Sequence, residues 1–216
     1  AQIQDIGDRI QQSQHLERLA MLDSLTGLPN RRAFLDAGER VVLHARRQQQ
    51  PVALMMIDPD HFKQSNDAHG HPSGDRVLQS IREIVLPCLR GGDILARLGG
   101  EEFGAILTGL NLLDAPGAAE RLRTQVSEIR VRSDRGEWIS VTVSVGVAER
   151  SVTGGDLHQV LDAADTALYA AKAAGRDRVR VAGPRAGQII DLGAAEKGAG
   201  AADVHATKDD PSPSAV

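Results

Sequence analysis

The sequence predicts an α+β fold, an α/β sandwich in which helices surround a mainly antiparallel central sheet. Three observations indicate this class. The most apolar run, Val52 to Ile57, indicates a buried strand, and a glycine pair, Gly99-Gly100, joins two short apolar runs in the manner of a hairpin. Ile139 to Val147 alternates apolar and polar residues, as a half-buried strand does. Segments with helical spacing of apolar residues lie between these strands.

Length and composition limit the classes of protein that fit. The chain has 216 residues and a formal net charge of −4, which suits one domain with appendages and gives no sign of nucleic-acid binding. A single cysteine, Cys88, allows neither a disulfide framework nor a zinc site, and we interpret it as a small buried hydrophobe. No apolar run approaches the roughly 20 residues of a membrane span, and no signal peptide is visible. We expect a cytoplasmic fragment without membrane contact. The chain opens with Ala1 rather than Met, so it is expected to be a piece of a longer protein, which could be membrane-anchored.

The two ends differ from the middle of the chain. Residues 1–22 are Gln-rich, with Ile3, Ile6 and Ile10 at coiled-coil spacing. Roughly two or three turns of such a seam cannot hold a dimer alone. The segment is either a solvated helix lying on the domain or, as we prefer, a signalling linker from an absent sensor. Residues 183–216 have a Gly, Ala, Pro, Ser and Asp-rich composition that predicts a disordered tail, which leaves 23–182 as the folded domain.

Local signals place the helices of the first half. Asn30 predicts the N-cap of a helix from Arg31 to about Gln48. Gln64 to His71 is too polar for the core and is interpreted as a loop. Ser73 then predicts the cap of an amphipathic helix that ends near Pro87.

Similar local signals predict two helices and a turn in the second half of the chain. Apolar residues at helical spacing predict a helix around Ala115 to Ile129, and Asp134 to Glu137 predicts a turn. Asp156 and Gln159 have capping-box spacing and predict the start of a helix that runs through Ala174.

Carboxylates follow two of the predicted strands. Asp58 ends the buried strand, and Glu101 and Glu102 follow the glycine pair of the hairpin. If the strand lies beside the hairpin, the three acids converge at one edge of the sheet. Such a cluster suits Mg²⁺, which takes a few carboxylates and completes its shell with water and phosphate oxygens.

Other polar residues permit two interpretations each. His69 and His71 could bind metal, but a structural role is favoured because no cysteine or third histidine stands at matching spacing. Asn66 and Asp75 together could recognise guanine, since a carboxylate accepts from its N1 and N2 hydrogens. Asp75 could instead be a favourable charge in the first turn of a helix.

Four motifs in register resemble those of the GGDEF family, the diguanylate cyclases, over roughly residues 22–181. The glycine pair with its acids and Phe103 is similar to the family signature in its GGEEF form. The remaining motifs are Asp23 to Arg32, Asp58 to Asp75, and Ala170 to Arg178.

The resemblance implies an activity. Two GTP molecules, one on each subunit of a homodimer, would be joined into cyclic di-GMP with release of two pyrophosphates, and the fold would be the palm-like fold of nucleotidyl cyclases and polymerases. The reaction would depend on Mg²⁺, or on Mn²⁺ in its place. Partners would be GTP, the cyclic product and a sensor domain absent from this chain.

The resemblance also implies roles for individual residues. Glu101 or Glu102 would be the catalytic base. The remaining implied residues are Asp58, Glu101 and the Pro59 carbonyl for metal, Lys63 for phosphate charge, His61, Phe62, Asn66 and Asp75 for the nucleotide, and Lys172 and Arg176 for the terminal phosphates.

One position departs from the family pattern. Pro59 stands where an aliphatic residue is usual; it keeps the carbonyl, but it fixes φ and lacks an N–H. The main alternative function is a catalytically weak module that binds GTP or cyclic di-GMP and regulates a neighbouring domain. A cyclase acting on ATP is a third, which Asn66 and Asp75 disfavour.

Arg90 and Asp93 form an R-x-x-D pattern shortly before the glycine pair. It resembles the inhibitory product site of the family, and Arg121 falls where a second arginine can be supplied. The alternative is an ordinary loop salt bridge of about 0–1 kcal/mol.

Overall fold

A computed structural model of the protein describes residues 21–150, 155–183, 185 and 187–191. The predicted linker helix lies outside these residues except for positions 21 and 22, and so does most of the predicted tail. Within that tail, Ile189–Ile190 forms a short strand. The prediction of disorder therefore does not hold there, because these apolar side chains pack against the core.

The described residues form five α-helices and eight strands. The helices are α1 (Arg31–Gln48), α2 (Phe62–His69), α3 (His71–Val85), α4 (Ala115–Ser127) and α5 (Leu157–Ala173). The strands are β1 (Val52–Pro59), β2 (Ile94–Gly99), β3 (Glu102–Thr108), β4 (Val131–Arg132), β5 (Trp138–Ile139), β6 (Val143–Glu149), β7 (Val179–Ala182) and β8 (Ile189–Ile190).

Six strands form the central sheet in the order β2-β3-β1-β6-β7-β8. Every neighbouring pair is antiparallel except β6 and β7, which are parallel. β4 and β5 form a separate antiparallel pair. The predicted α+β fold with a mainly antiparallel sheet is confirmed.

Helices cover both faces of the sheet. Ala53, Met55 and Ile57 of β1 belong to a core cluster with α3 and α4, whereas Leu54 and Met56 belong to a second cluster with α1 and α5. Because alternate side chains of a strand point to opposite faces, a strand buried on both faces needs apolar residues at successive positions. This explains the continuous apolar run that ends at Asp58.

The predicted strand from Ile139 to Val147 is divided in the structure. Residues 138–139 belong to β5, and the central strand β6 is buried at every position rather than half-buried. The small residue Gly146 permits this burial: a Cβ there would lie 2.1 Å from the Ala164 carbonyl oxygen of α5. Within β6 the small and polar residues are therefore buried: Gly146 contacts α5, and the Ser144 hydroxyl donates to Asp60.

The segment predicted as a polar loop is helical. α2 covers Phe62–His69, and α3 begins at His71, two residues before the predicted cap Ser73, which is buried in the first turn. Gly70 separates the two helices with φ of 84°. Phe62 anchors α2 in the core, and the other residues of the helix are exposed or half-buried. The polar composition keeps most of this segment out of the core, but it does not prevent a short helix that is held by one buried side chain.

Two smaller predictions also need correction. The hairpin turn consists of Gly100 and Glu101, since Gly99 already pairs with Glu102. Cys88 lies in a 3₁₀ turn and is only half-buried; its thiol donates to the Gln125 Oε1 at 2.8 Å.

The N-cap at Asn30 is confirmed, with Oδ1 accepting from Ala33 N at 3.1 Å.

Candidate active site

The sheet brings the predicted acids together. Ile57 of β1 pairs with Phe103 of β3, so the last residues of β1 lie beside the tip of the β2–β3 hairpin. Asp58 is only 4% exposed. Glu101 is in the hairpin turn, and Glu102 begins β3. The convergence expected from the sequence therefore follows from the strand order.

Lys172 contacts this acidic edge from the last turn of α5. Its Nζ lies 2.9 Å from Asp58 Oδ2. The family resemblance implies only a phosphate contact for this residue. In the structure the same ammonium neutralises a buried carboxylate.

Burial and mutual repulsion perturb the acids. Burial raises the pKa of Asp58, with repulsion from Asp60 adding to it, and the hydrogen bond and charge of Lys172 oppose the rise, as does Arg176. Burial also raises the pKa of Glu101, and repulsion from Asp58 and Glu102 adds to it, against attraction by Lys172. The site therefore has a deficit of positive charge that a cation would relieve.

The donors present fit a magnesium ion. Asp58 and Glu101 interact electrostatically at one sheet edge, and Pro59 directly follows Asp58 at the end of β1. Carboxylate and carbonyl oxygens are the hard donors that Mg²⁺ prefers. No group of three or more acidic, His or Cys residues able to hold a metal occurs among the described residues. The protein alone would thus fill part of the shell, which is the usual case for Mg²⁺ bound together with phosphate.

Arg97 fixes the hairpin tip. Its Nε and Nη2 donate to the Gly100 carbonyl at 2.9 and 2.6 Å, and its Nη1 lies 3.0 Å from Asp23 Oδ1. Burial would raise the pKa of Asp23, but hydrogen bonds from Thr26 and Arg97 bring it below the usual value. Asp23, through Arg97, thus braces the hairpin turn. The sequence did not reveal this pair, because its members are 74 positions apart.

Asn66 and Asp75 stand on the neighbouring helices α2 and α3. The Asn66 Oδ1 atom is buried without a hydrogen-bond partner. A Cβ on Gly74 would lie 1.8 Å from that atom, so only glycine leaves room for it. Asp75, the next residue, is exposed. The structure thus places a buried amide oxygen without a hydrogen-bond partner on α2 and an exposed carboxylate on α3.

The other predicted nucleotide contacts differ in accessibility. Lys63 and His61 are exposed on or beside α2. The Phe62 side chain is 6% exposed and belongs to the core, so this residue could contact a nucleotide only through its backbone. Arg176 is half-buried in the turn after α5, close enough to Asp58 to affect its pKa.

The R-x-x-D segment forms a closed turn. Asp93 Oδ2 accepts from Arg90 N at 2.9 Å, and Asp93 Oδ1 accepts from Thr108 N at 3.0 Å. Among the described residues, no ion pair joins the Arg90 guanidinium to Asp93, which removes the simple salt-bridge alternative. Arg121 is exposed on α4, and its charge opposes the rise that burial causes in the pKa of Cys88, two positions before Arg90.

The strand order, the two helical layers and the acidic hairpin define the palm-like cyclase fold. The family model described as "Diguanylate cyclase, GGDEF domain" matches residues 20–178, and the chain belongs to this family. No helix in the described ranges has the length and apolar character needed to cross a membrane.

Known proteins agree with this assignment. The chain is 40% identical over 172 residues to diguanylate cyclase DgcP of Pseudomonas aeruginosa and 38% identical over 168 residues to the probable diguanylate cyclase DgcT of Escherichia coli. These matches cover 78% and 76% of this chain but only 25% and 36% of the relatives. The solved GGDEF domain of DgcB from Caulobacter crescentus, in complex with c-di-GMP, has a TM-score of 0.72 and 36% identity, covering 76% of this chain and 93% of that one.

Proposed function

We propose that this chain is the catalytic domain of a diguanylate cyclase, which condenses two GTP into cyclic di-GMP and two pyrophosphates. The observation that carries the proposal is the convergence of Asp58 and Glu101 at one sheet edge beside Lys172. The names of the relatives and the cyclic di-GMP bound to the DgcB domain support the same substrate class.

The chemistry is phosphoryl transfer. Each 3′-hydroxyl oxygen bonds to the α-phosphorus of the other GTP, the bond to pyrophosphate breaks, and the hydroxyl proton passes to a carboxylate base. We assign that base to Glu102, because Glu101 is the one coupled electrostatically to Asp58 and suits the metal. Mg²⁺ or Mn²⁺, held by Asp58, Glu101 and the Pro59 carbonyl, would neutralise phosphate charge when bound.

The chain's own residues bind and orient the nucleotide. Lys172 and Arg176 would contact the terminal phosphates, and Lys63 would stabilise charge on the reacting phosphate. The backbone N–H groups of His61 and Phe62 lie at the start of α2, where the first N–H groups of a helix lack intrahelical acceptors and suit an anion.

Guanine would be held between α2 and α3. Asp75 would accept from the N1 and N2 hydrogens, and the unsatisfied Asn66 would pair with the remaining purine edge. Adenine would place its N1 acceptor against the carboxylate. This pairing favours GTP over ATP.

Several parts of the proposal concern assembly and regulation. One site holds one GTP, so two copies of the chain must meet for the product to close. Cyclic di-GMP would bind Arg90, Asp93 and Arg121 and inhibit by feedback, and residues 1–22 would transmit a signal from a sensor domain.

Turnover by paired variants tests the proposal. The chain is incubated with GTP and Mg²⁺, and the product is identified by chromatography and mass. Glu102→Gln should abolish formation of cyclic di-GMP, whereas Glu83→Gln, an exposed acid of α3, should preserve it. A Glu102→Gln variant as active as the parent would remove that carboxylate from the mechanism. Binding of GTP without turnover by the parent would favour the regulatory module.

A further inference from the structure

Asp60 is a buried acid that the mechanism above does not use. It is 7% exposed, and both of its oxygens are engaged. Oδ1 accepts from the Ser144 hydroxyl at 2.7 Å, and Oδ2 accepts from the Thr142 hydroxyl at 2.7 Å and from the backbone N–H of Asp177 at 2.9 Å. With its oxygens committed in this way, Asp60 is unlike its neighbour Asp58 and is not a free metal ligand.

The backbone that Asp60 holds has an unfavourable conformation. Arg176 and Asp177 have φ of 62° and 44°, in the left-handed region that L-residues rarely adopt. Such residues are energetically unfavourable and persist only where surrounding contacts impose the conformation. Here Arg176 N donates to the Ala171 carbonyl, Asp177 N to Asp60, and the Asp177 carboxylate pairs with Arg123 of α4.

We propose that Asp60 is a positioning residue that holds the Arg176–Asp177 turn in its left-handed conformation and so keeps Arg176 beside Asp58, where the triphosphate binds. The Asp60 carboxylate connects the end of β1, the start of β6 and the turn before β7. It acts on the phosphates through Arg176 and does not touch them. The inference rests on the proposed nucleotide site and adds a residue to which that proposal gives no role.

The direction in which Asp60→Asn changes the affinity for a triphosphate distinguishes a positioning role from a purely electrostatic one. Asp60→Asn removes a negative charge from the surroundings of Asp58, which by electrostatics alone would strengthen binding of an anionic triphosphate. The amide, however, has one acceptor oxygen where the carboxylate had two. With that oxygen at the Oδ2 position the amide can still accept from the Asp177 N–H while its NH2 group donates to the Ser144 hydroxyl, but the bond that holds the turn loses the charge assistance of the carboxylate. Positioning therefore predicts weaker binding, and charge alone predicts stronger binding.

Equilibrium affinities measured with two nucleotides test the proposal. The probes are a GTP analogue with a methylene group in place of the α–β bridging oxygen, which cannot react, and GMP, which lacks the terminal phosphates. Asp60→Asn should weaken binding of the analogue about fivefold, as replacement of a charge-assisted hydrogen bond by a neutral one does, and leave the affinity for GMP unchanged. In an Arg176→Ala background Asp60→Asn should weaken binding of the analogue by less than about a further twofold, because the two residues act as one unit.

Controls distinguish this role from general stabilisation. Glu149→Gln alters a different buried acid, which lies in β6 at the end of the strand remote from Asp58. This variant should leave the affinities for the analogue and for GMP unchanged. If Asp60→Asn does not fold, two other variants test the same role. Thr142→Val and Ser144→Ala each remove one hydroxyl that donates to Asp60. Each should weaken binding of the analogue about two- to threefold without changing the affinity for GMP. Equal loss for both nucleotides, stronger analogue binding, or full additivity with Arg176→Ala would overturn the proposal. Because the analogue does not react, this result is independent of turnover: absence of cyclic di-GMP synthesis by the parent would refute the proposed function instead.

Discussion

Lys172 and Asp58 form the ion pair at the centre of the acidic sheet edge, with 2.9 Å between Nζ and Oδ2. The carboxylate comes from the end of β1 and the ammonium from the last turn of α5. Asp58 is nearly fully buried, whereas the Lys172 side chain is 33% exposed. The ammonium thus neutralises a buried acid from a side that is open to solvent.

Removal of Lys172 should destabilise the fold in the absence of a divalent cation. Lys172→Met keeps the apolar stem and leaves Asp58 buried without its cation. We expect the free energy of unfolding at pH 7 to fall by about 1–2 kcal/mol, less than a fully buried pair would lose, because the ammonium is partly exposed. Urea unfolding with EDTA measures this change. Lys63→Met, an exposed lysine of α2, should change it by under about 0.5 kcal/mol; equal effects of the two variants would contradict the role given to the pair.

Glu101 should make the metal-free fold less stable as the pH rises. Its pKa lies above the ordinary 4.5, chiefly through burial and then through Asp58 and Glu102. The folded protein therefore binds this proton more tightly than the unfolded chain, so stability present below about pH 4.5 is lost as the pH rises through the raised native value. Glu101→Gln should gain about 0.5 kcal/mol at pH 7, a small value because solvent screens a partly exposed group.

Urea unfolding of parent and Glu101→Gln from pH 4 to 7.5 measures this difference. The two curves should converge at the acid end and separate toward neutral pH. A variant less stable than the parent at pH 7, or a difference independent of pH, would show that the raised pKa has another origin.

Gly74 should be required for nucleotide binding rather than for folding. In Gly74→Ala the new Cβ would lie 1.8 Å from Asn66 Oδ1 and would displace the amide. We expect affinity for the unreactive GTP analogue to fall about tenfold, the loss of roughly one hydrogen bond to a polar base. Gly117→Ala in α4 is the matched control, since its Cβ would have only ordinary contacts. Similar affinities for the two variants would rule out the assignment of Asn66 to guanine.

Feedback inhibition should depend on the Arg90 side chain. Asp93 closes its turn through Arg90 N and Thr108 N, so replacing Asp93 would disturb the β2–β3 hairpin as well as any ligand site. Arg90→Ala leaves these backbone contacts in place. We expect non-competitive inhibition by cyclic di-GMP in the parent, and at least a tenfold higher inhibitory concentration in Arg90→Ala, as expected for a lost charge-assisted contact. An unchanged inhibitory concentration would place the feedback site elsewhere.

The sequence predicted the elements whose signals are local. The apolar run of β1, the hairpin and the capping box of α5 each depend on residues close together in the chain, and their patterns have direct physical causes. The acidic cluster was predictable in addition because it requires only that β1 and β3 be neighbours.

Relationships between distant segments were not predictable in this way. Arg97 braces Gly100 and Asp23, and Asp60 holds a turn 117 positions away. Neither contact produces a periodic pattern in the sequence. The helix α2 was missed because its polar composition outweighed the single anchor Phe62. The burial of β6 depended on α5 approaching Gly146, which is a property of the tertiary fold.

The stoichiometry of the reaction tests the central claim most directly. The chain is incubated with GTP and Mg²⁺, and pyrophosphate and cyclic di-GMP are quantified over time at several protein concentrations. Two pyrophosphates should be released for each cyclic di-GMP, at a specific rate that increases with protein concentration, because two GTP-loaded copies must meet. Pyrophosphate release without the cyclic dinucleotide, or no consumption of GTP at any concentration, would contradict the assignment of this acidic sheet edge to diguanylate cyclase catalysis.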